Sequence, residues 1–280
     1  MKLLATVLAS LTLVACGGGG DDSPPPTPPV ASTPEGVYGG KLTGSTSSDF
    51  EALFLENGEF WTLYGLSTPS AFFVSGFVQG SGTSNSGSYT STNAKDFGFA
   101  PAMAGTLSAT YNTTAKTIAG TFSTPSGAVT FSGGPIPDSL YVYDKPATLS
   151  SVAGAWSTSS LTGESVAINV ASNGAFTAAG SSGCRFSGTV TPRPSGKNVF
   201  NVALTFGPAP CALPGQTGTG IAITYPLANG QSQLVVVSVI TQFDGLTFTN
   251  GDGQSGQDVQ RPGQQNGTGI ATGAVLASGG

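Results

Sequence analysis

From Gly36 onward, apolar and polar residues alternate with a period of two in short runs broken by turn-forming residues, the pattern of half-buried β-strands. The run "VFNVALTF" is the cleanest: Phe200, Val202, Leu204 and Phe206 point one way, and Val199, Asn201, Ala203 and Thr205 the other. On this basis strands are expected at 36–43, 49–56, 59–66, 71–80, 87–97, 104–112, 117–123 and 127–132. A second series follows at 153–159, 164–172, 175–179, 184–191, 199–206, 218–226, 232–241 and 245–249. Helical periodicity is nowhere convincing. Asn57-Gly58, between Glu56 and Glu59, reads as a two-residue hairpin turn in which both central residues take positive φ. Asn112-Thr113-Thr114 and Thr124-Pro125-Ser126-Gly127 are softer turn signals.

The two series match each other. "GVYGG" at Gly36 parallels "GAWST" at Gly154, and "LENGEFWTLYG" at Leu55 parallels "ASNGAFTAAG" at Ala171. The two offsets agree to within two residues, and a spacing this long means a duplicated domain, not a solenoid repeat. About eight short strands per copy, all joined by tight turns, predict an all-β chain of two tandem antiparallel up-and-down β-barrels, a closure that leaves no edge strand open. A two-sheet β-sandwich is the alternative architecture. The barrels are expected over 35–133 and 153–250, joined by a Pro-containing linker over 134–152. Its "LYVY" (Leu140 to Tyr143) is too apolar to float free, so it should lie against one barrel or between both and fix their orientation. Periodicity fades after Asn250, and 251–280 is expected to be a disordered tail.

Before the strands the chain has a different character. Lys2 precedes "LLATVLASLTLVA" (Leu3 to Ala15), a charged n-region and an apolar h-region shorter than the roughly 20 residues a spanning helix needs. Leu13-Val14-Ala15-Cys16 resembles the bacterial lipobox: aliphatic, then small, then cysteine. That resemblance implies that 1–15 is a signal peptide, that the Cys16 thiol takes a diacylglycerol, and that the new amino group is acylated, with palmitate as the expected chain. Membrane contact would then be through N-terminal lipid, and two or more acyl chains anchor stably where one does not. By the sorting rule of the same family, Gly17 beside the lipidated residue implies the outer membrane of a Gram-negative bacterium, facing the periplasm or the cell surface. Residues 16–34, with "GGGG" and "SPPPTPP", form a Gly/Pro-rich tether with a polyproline II bias of about 3.1 Å per residue.

Composition narrows the chemistry. Charged residues make up 8% of the chain, so hydroxyls and amides must keep the surface soluble, as suits an exported β protein. A net charge of −5 and a pI near 4.5 argue against nucleic acid as a partner. There is no histidine, which removes Ser-His-Asp and Cys-His catalysis and His-ligated zinc. With Cys16 used by lipid, Cys184 and Cys211 are expected to pair as a structural disulfide, closing a loop worth roughly 3–4 kcal/mol by the chain-entropy estimate.

No catalytic residue, metal site or cofactor is expected. Asp49, Glu51, Glu56 and Glu59 are close in sequence and are the one group able to supply an acid–base pair for glycoside hydrolysis or ligands for a hard cation. The second copy lacks them, so they read as a solvated face. "NGDGQSGQD" (Asn250 to Asp258) lacks a bidentate Glu and a nonapeptide repeat, and "GQTGTG" (Gly215 to Gly220) lacks a strand–turn–helix setting for phosphate. Trp61 and Tyr64 lie on opposite faces of one strand, as do Phe72 and Phe73, so some aromatics must face outward toward the linker, the other barrel or a ligand. Trp61, Tyr64, Tyr141 and Tyr143 are therefore the binding candidates. The 16 phenylalanines favour barrels filled by their own side chains over barrels holding a ligand.

"GTLSATYNTTAKTIAGTFS" (Gly105 to Ser123) is similar to the barrel hairpins of surface lipoproteins of the transferrin-binding-protein and factor-H-binding-protein class. The binding loops of that class have no counterpart here, so the resemblance implies a fold and a location without a site. The expected function is a non-catalytic, lipid-anchored envelope lipoprotein whose barrels bind an extracellular protein or a small ligand. A purely structural envelope protein with filled barrels, and a hydrolase using the four acids, are the alternatives.

Overall fold

The computed structural model describes residues 33–44, 48–68, 71–99, 101–160, 164–227, 231–241 and 267–276. Cys16, the tether and the expected strand at 245–249 lie outside the described residues. Within them the regular structure is β throughout, apart from a 3-10 turn at Leu149–Ser151. The first series gives β1 (Gly36–Thr43), β2 (Ser48–Phe54), β3 (Glu59–Thr68), β4 (Ala71–Ser81), β5 (Thr83–Asn85), β6 (Ser88–Asp96), β7 (Met103–Asn112), β8 (Thr117–Thr124) and β9 (Gly127–Pro135). The second gives β10 (Gly154–Ser160), β11 (Ser165–Val170), β12 (Ala175–Gly180), β13 (Arg185–Pro192), β14 (Phe200–Phe206), β15 (Thr217–Pro226), β16 (Ser232–Thr241) and β17 (Gly267–Leu276).

Each series meanders up and down and curls on itself. The first sheet runs β4-β3-β2-β1-β9-β8-β7-β6-β5, and its ends meet again where β4 pairs with β6 at Val78↔Asp96 and Gln79↔Lys95. The second is a closed barrel, β10 through β17, with β10 joined to β17 at Trp156↔Leu276 through Ser160↔Thr272. The architecture is thus a pair of tandem barrels, and both belong to one compact unit, Ala31–Gly280.

Two sequence expectations need correction. The tail was expected to be disordered, yet Gly267–Leu276 forms β17 and closes the second barrel. Its composition, "GTGIATGAVL", hides a strand among glycines. The physical demand for it comes from elsewhere: without it, β10 and β16 would both present open edges. The Asn57-Gly58 hairpin is also not a two-residue turn. Gly58 alone takes positive φ (+78°), and Leu55 N–H donates to Glu59 O at 2.8 Å while Gly58 N–H donates to Leu55 O at 3.1 Å, which is a three-residue loop. Asn57 instead contributes its side chain, Oδ1 accepting from Glu59 N–H.

The second copy repeats this geometry atom for atom. Ala171 N–H donates to Ala175 O, Gly174 has φ +84°, and Asn173 Oδ1 accepts from Ala175 N–H. The strand openings match too: Tyr38 Oη donates to the carbonyl of Pro34, and Trp156 Nε1 to that of Val152, each four residues back. The duplication read from sequence is therefore preserved in backbone and capping detail, while the cores have diverged.

Among the described residues there are three cores. The first barrel is filled by aromatic rings: Phe54 stacks on Phe60 at 5.7 Å and meets Tyr89 edge-on at 5.0 Å, with Tyr38, Phe50 and Phe122 around them. Rings this large need bare backbone opposite. A Cβ on Gly98 would stand 1.9 Å from the Tyr64 hydroxyl. The second barrel is filled mainly by aliphatic side chains, among them Val166, Ile168, Val190, Val202 and Leu204. The third core lies between the barrels, and it accounts for a departure from alternation. Ile221, Ile223 and Tyr225 on β15, with Val235 and Val237 on β16, pack outward against Leu53, Trp61, Leu63 and Phe77 of the first barrel. Strands buried on both faces read as continuous apolar runs, and "GIAITY" and "QLVVVSVI" are such runs.

Candidate functional site

The seam between the barrels gathers most of the chemistry the sequence offers. Trp61, Tyr141 and Tyr143 are all buried there. Trp61 stacks near Phe77 at 5.8 Å and donates its indole N–H to Glu59 Oε1 at 2.9 Å. Tyr141 donates to the Asn198 carbonyl and packs on Tyr225 at 5.5 Å, and Tyr143 lies under Lys197 Nζ at 5.4 Å. The linker therefore runs between both barrels and is held by each, with Asn198 clamping it through Nδ2 to the Val142 carbonyl and its own N–H to that of Tyr143. Tyr64, the fourth candidate, points into the first barrel, where its hydroxyl donates to Asp96 Oδ1 at 2.7 Å. Trp61, Tyr141 and Tyr143 are packed in the seam, because rings on outward faces gain most where a second barrel covers them, and Tyr64 is packed inside the first barrel; of the four, Trp61 also lines a cleft.

The four acids are separated by their partners. Asp49 pairs with Lys41 and accepts from Ser67 N–H at 2.8 Å, and these bonds hold its carboxyl below the usual range. Glu56 and Glu59 both reach Arg193 across the seam, at 2.9 Å and 3.5 Å, and Arg193 Nη1 donates to Asn201. Glu51 accepts a hydrogen bond from the Tyr225 hydroxyl. Burial pushes its carboxyl up to about 7, the Tyr225 bond opposes that shift, and the negative charge of Asp49 adds to it. Among the described residues, no lysine or arginine reaches Glu51, and no group of three or more Cys, Asp or Glu is placed to hold a metal ion.

Packing two convex barrels leaves clefts where they diverge. One, of about 340 Å³, is lined by Glu59, Trp61, Arg193 and Asn201, whose polar atoms already bond to one another. Another, of about 330 Å³, has Glu51 and Tyr225 in its wall, with Phe72, Leu140 and Leu227 supplying apolar surface and Ser67 and Ser139 hydroxyls. Beside it, the buried Gln233 side chain bridges the barrels: its Oε1 accepts from Phe72 N–H at 2.9 Å and its Nε2 donates to Phe72 O at 2.8 Å. This amide caps a stretch of β4 that pairs with β3 alone. The second barrel encloses a smaller apolar cavity of about 40 Å³, lined by Ile168, Val202, Leu234 and Ser238, and the Ser238 hydroxyl has no hydrogen-bond partner there. Each seam cleft carries a single carboxylate in its lining, so neither presents the acid–base pair of a glycosidase.

Cys184 and Cys211 form a disulfide, tying the start of β13 to the loop after β14. Tyr225, Gln233 and Leu140 were not candidates in the sequence reading. The available signal was a glutamine heading the apolar run of β16, and a tyrosine at an outward position of β15.

Fold and seam together define a protein of two tandem up-and-down barrels joined through a buried interface and indented by clefts along it. No protein-family model matches the sequence, and no curated protein matches it. Among solved structures, a crystal structure of a protein with unknown function of the DUF3598 family, from Nostoc punctiforme PCC 73102, is similar at a TM-score of 0.23 and 9% identity. The match covers 86% of this chain and 96% of that one.

Proposed function

We propose that this chain is a lipid-anchored envelope lipoprotein of a Gram-negative bacterium whose paired barrels act as a non-catalytic binding module. The anchor rests on Leu13-Val14-Ala15-Cys16 and the tether after it, which imply acylation at Cys16 and an outer-membrane location. The binding role rests on one observation: the cleft at Glu51, of about 330 Å³, joins apolar walls to a carboxylate that no lysine or arginine among the described residues neutralises. That size and mix of surfaces are those of small-molecule sites, which commonly lie between domains. The fixed linker supports the same reading, since a cleft between rigid walls is preformed.

A structural role is the second reading, favoured by barrel interiors that are filled or nearly so. Two measurements on cells separate the proposals. Palmitate labelling of the chain, lost in Cys16→Ala, is expected if the anchor is right, and absence of label refutes it. Protease shaving of intact cells then assigns the side: peptides released from 36–227 place the barrels outside, and protection until the outer membrane is permeabilised places them in the periplasm. A small molecule retained by the purified chain in native mass spectrometry supports binding over a purely structural role.

A further inference from the structure

We infer that the Glu51 cleft binds a small organic ammonium ion with an apolar body, an assignment that rests on the binding-module reading above. Three observations point to that ligand class. The first is charge. Lys41 is taken by Asp49, Arg193 by Glu56 and Glu59, and Lys197 by Asp144 and Glu35, so among the described residues of the seam Glu51 is the carboxylate left without a cation. A half-buried carboxylate in that position gains most from a cation that arrives with the ligand.

The second is surface. Phe72 and Tyr225 are aromatic residues of the cleft lining, and Leu140 and Leu227 add aliphatic wall, a combination suited to an alkyl or aryl ammonium through apolar burial and cation–π attraction together. The third is competition. Tyr225 spends its hydroxyl proton on Glu51 and the Gln233 amide spends one N–H on the Phe72 carbonyl, so the cleft lining would meet an anionic ligand with neutral donors alone, the Ser67 and Ser139 hydroxyls among them, and with no lysine or arginine. A net charge of −5 attracts cations to the surface as a whole.

The groups facing the Glu51 carboxyl are Asp49 on its own strand, Tyr225 from β15 and Tyr141 from the linker. Asp49 stays ionised, and both tyrosines are driven far above neutral by burial. Glu51 is therefore the group that titrates, and its carboxyl sits near 7 in the free protein. Ammonium binding should require its ionised form and release a proton near neutral pH.

The test is calorimetric titration of the full-length chain, in non-ionic detergent, with 2-phenylethylammonium and with its neutral counterpart 2-phenylethanol. Expected are binding of the ammonium at pH 8, weakening by about thirtyfold at pH 5.5 given a carboxyl near 7, and, at pH 8, at least tenfold weaker binding of the alcohol, which should not weaken further at pH 5.5. Glu51→Gln keeps an acceptor for Tyr225 and should lose at least tenfold. Should that variant not fold, Leu140→Lys serves instead: Leu140 is exposed at the cleft, and a tethered ammonium there should compete the ligand out. Equal binding of alcohol and ammonium at pH 8, or unchanged affinity in Glu51→Gln or Leu140→Lys at that pH, overturns the inference. If the ammonium does not bind at pH 8 but native mass spectrometry retains some other small molecule, this inference falls and the binding module stands. If nothing binds and nothing is retained, both fall.

Discussion

Replacing Gln233 with leucine probes the joint between the barrels at its most informative atom pair. Gln233 is 2% exposed, and both ends of its amide are bonded to the backbone of Phe72, at 2.9 and 2.8 Å. Leucine fills nearly the same volume, so little cavity penalty enters. What changes is that the Phe72 N–H and C=O lose their partners where water cannot replace them. A buried group left unsatisfied costs about 1–3 kcal/mol, so two cost about 2–6 kcal/mol, and the more apolar leucine returns about 1–2 kcal/mol. The net expectation is a loss of about 2–4 kcal/mol. For a folded region of this size that is a drop in Tm on the order of 10 °C. The assay is urea and thermal unfolding of the full chain, with hydrogen exchange at the Phe72 amide as the local readout. Exchange there should accelerate together with that of Leu63 and Val235, which pack in the same seam. A change within about 0.5 kcal/mol, the range of an ordinary surface substitution, refutes the reasoning, because it means the amide is wet or the barrels are not seated as described.

Glu51 gives a pH dependence whose sign is fixed. Its folded-state carboxyl lies near 7 against 4.5 unperturbed, so its contribution to stability is fully present below pH 4.5 and is lost as pH rises through 7. At 1.36 kcal/mol per unit the loss is about 3 kcal/mol, and Glu51→Gln should flatten that part of the stability–pH curve. Reducing the Cys184–Cys211 bond, which spans 27 residues, should cost about 3–4 kcal/mol in chemical unfolding; no change in midpoint on adding reductant contradicts this. Ser238→Ala removes a buried hydroxyl that has no hydrogen-bond partner and should stabilise the second barrel by about 1 kcal/mol in the same assay. Destabilisation by that substitution would show that the hydroxyl is satisfied.

Much of the fold was legible because barrels are built from local signals. Alternation in "VFNVALTF" gave β14, with Phe200, Val202, Leu204 and Phe206 inside as expected, and the matched hairpins at Gly58 and Gly174 exposed the duplication. The exceptions share a physical cause: their reasons lie elsewhere in the chain. β17 is required by the open edges of β10 and β16, and nothing in "GTGIATGAVL" announces that. β5 is three residues long, below what periodicity can detect. At Asn57 the residue pair suited a tighter turn, but a three-residue loop was chosen in which asparagine serves by its side chain. The site was less legible still. An outward aromatic such as Trp61 looks the same in sequence whether a ligand or a second barrel will cover it. Glu51 looked like its acidic neighbours until Lys41 and Arg193 were seen to neutralise the others.

The most direct test of a lipid-anchored, ligand-binding pair of barrels is native mass spectrometry of the chain purified from its own envelope, with an intact mass recorded after denaturation. The expected result is a denatured mass for a chain beginning at Cys16 and carrying lipid, and a native mass higher by one small molecule that is lost in Glu51→Gln. A chain still beginning at Met1, without lipid, and with identical native and denatured masses contradicts both the anchor and the binding role.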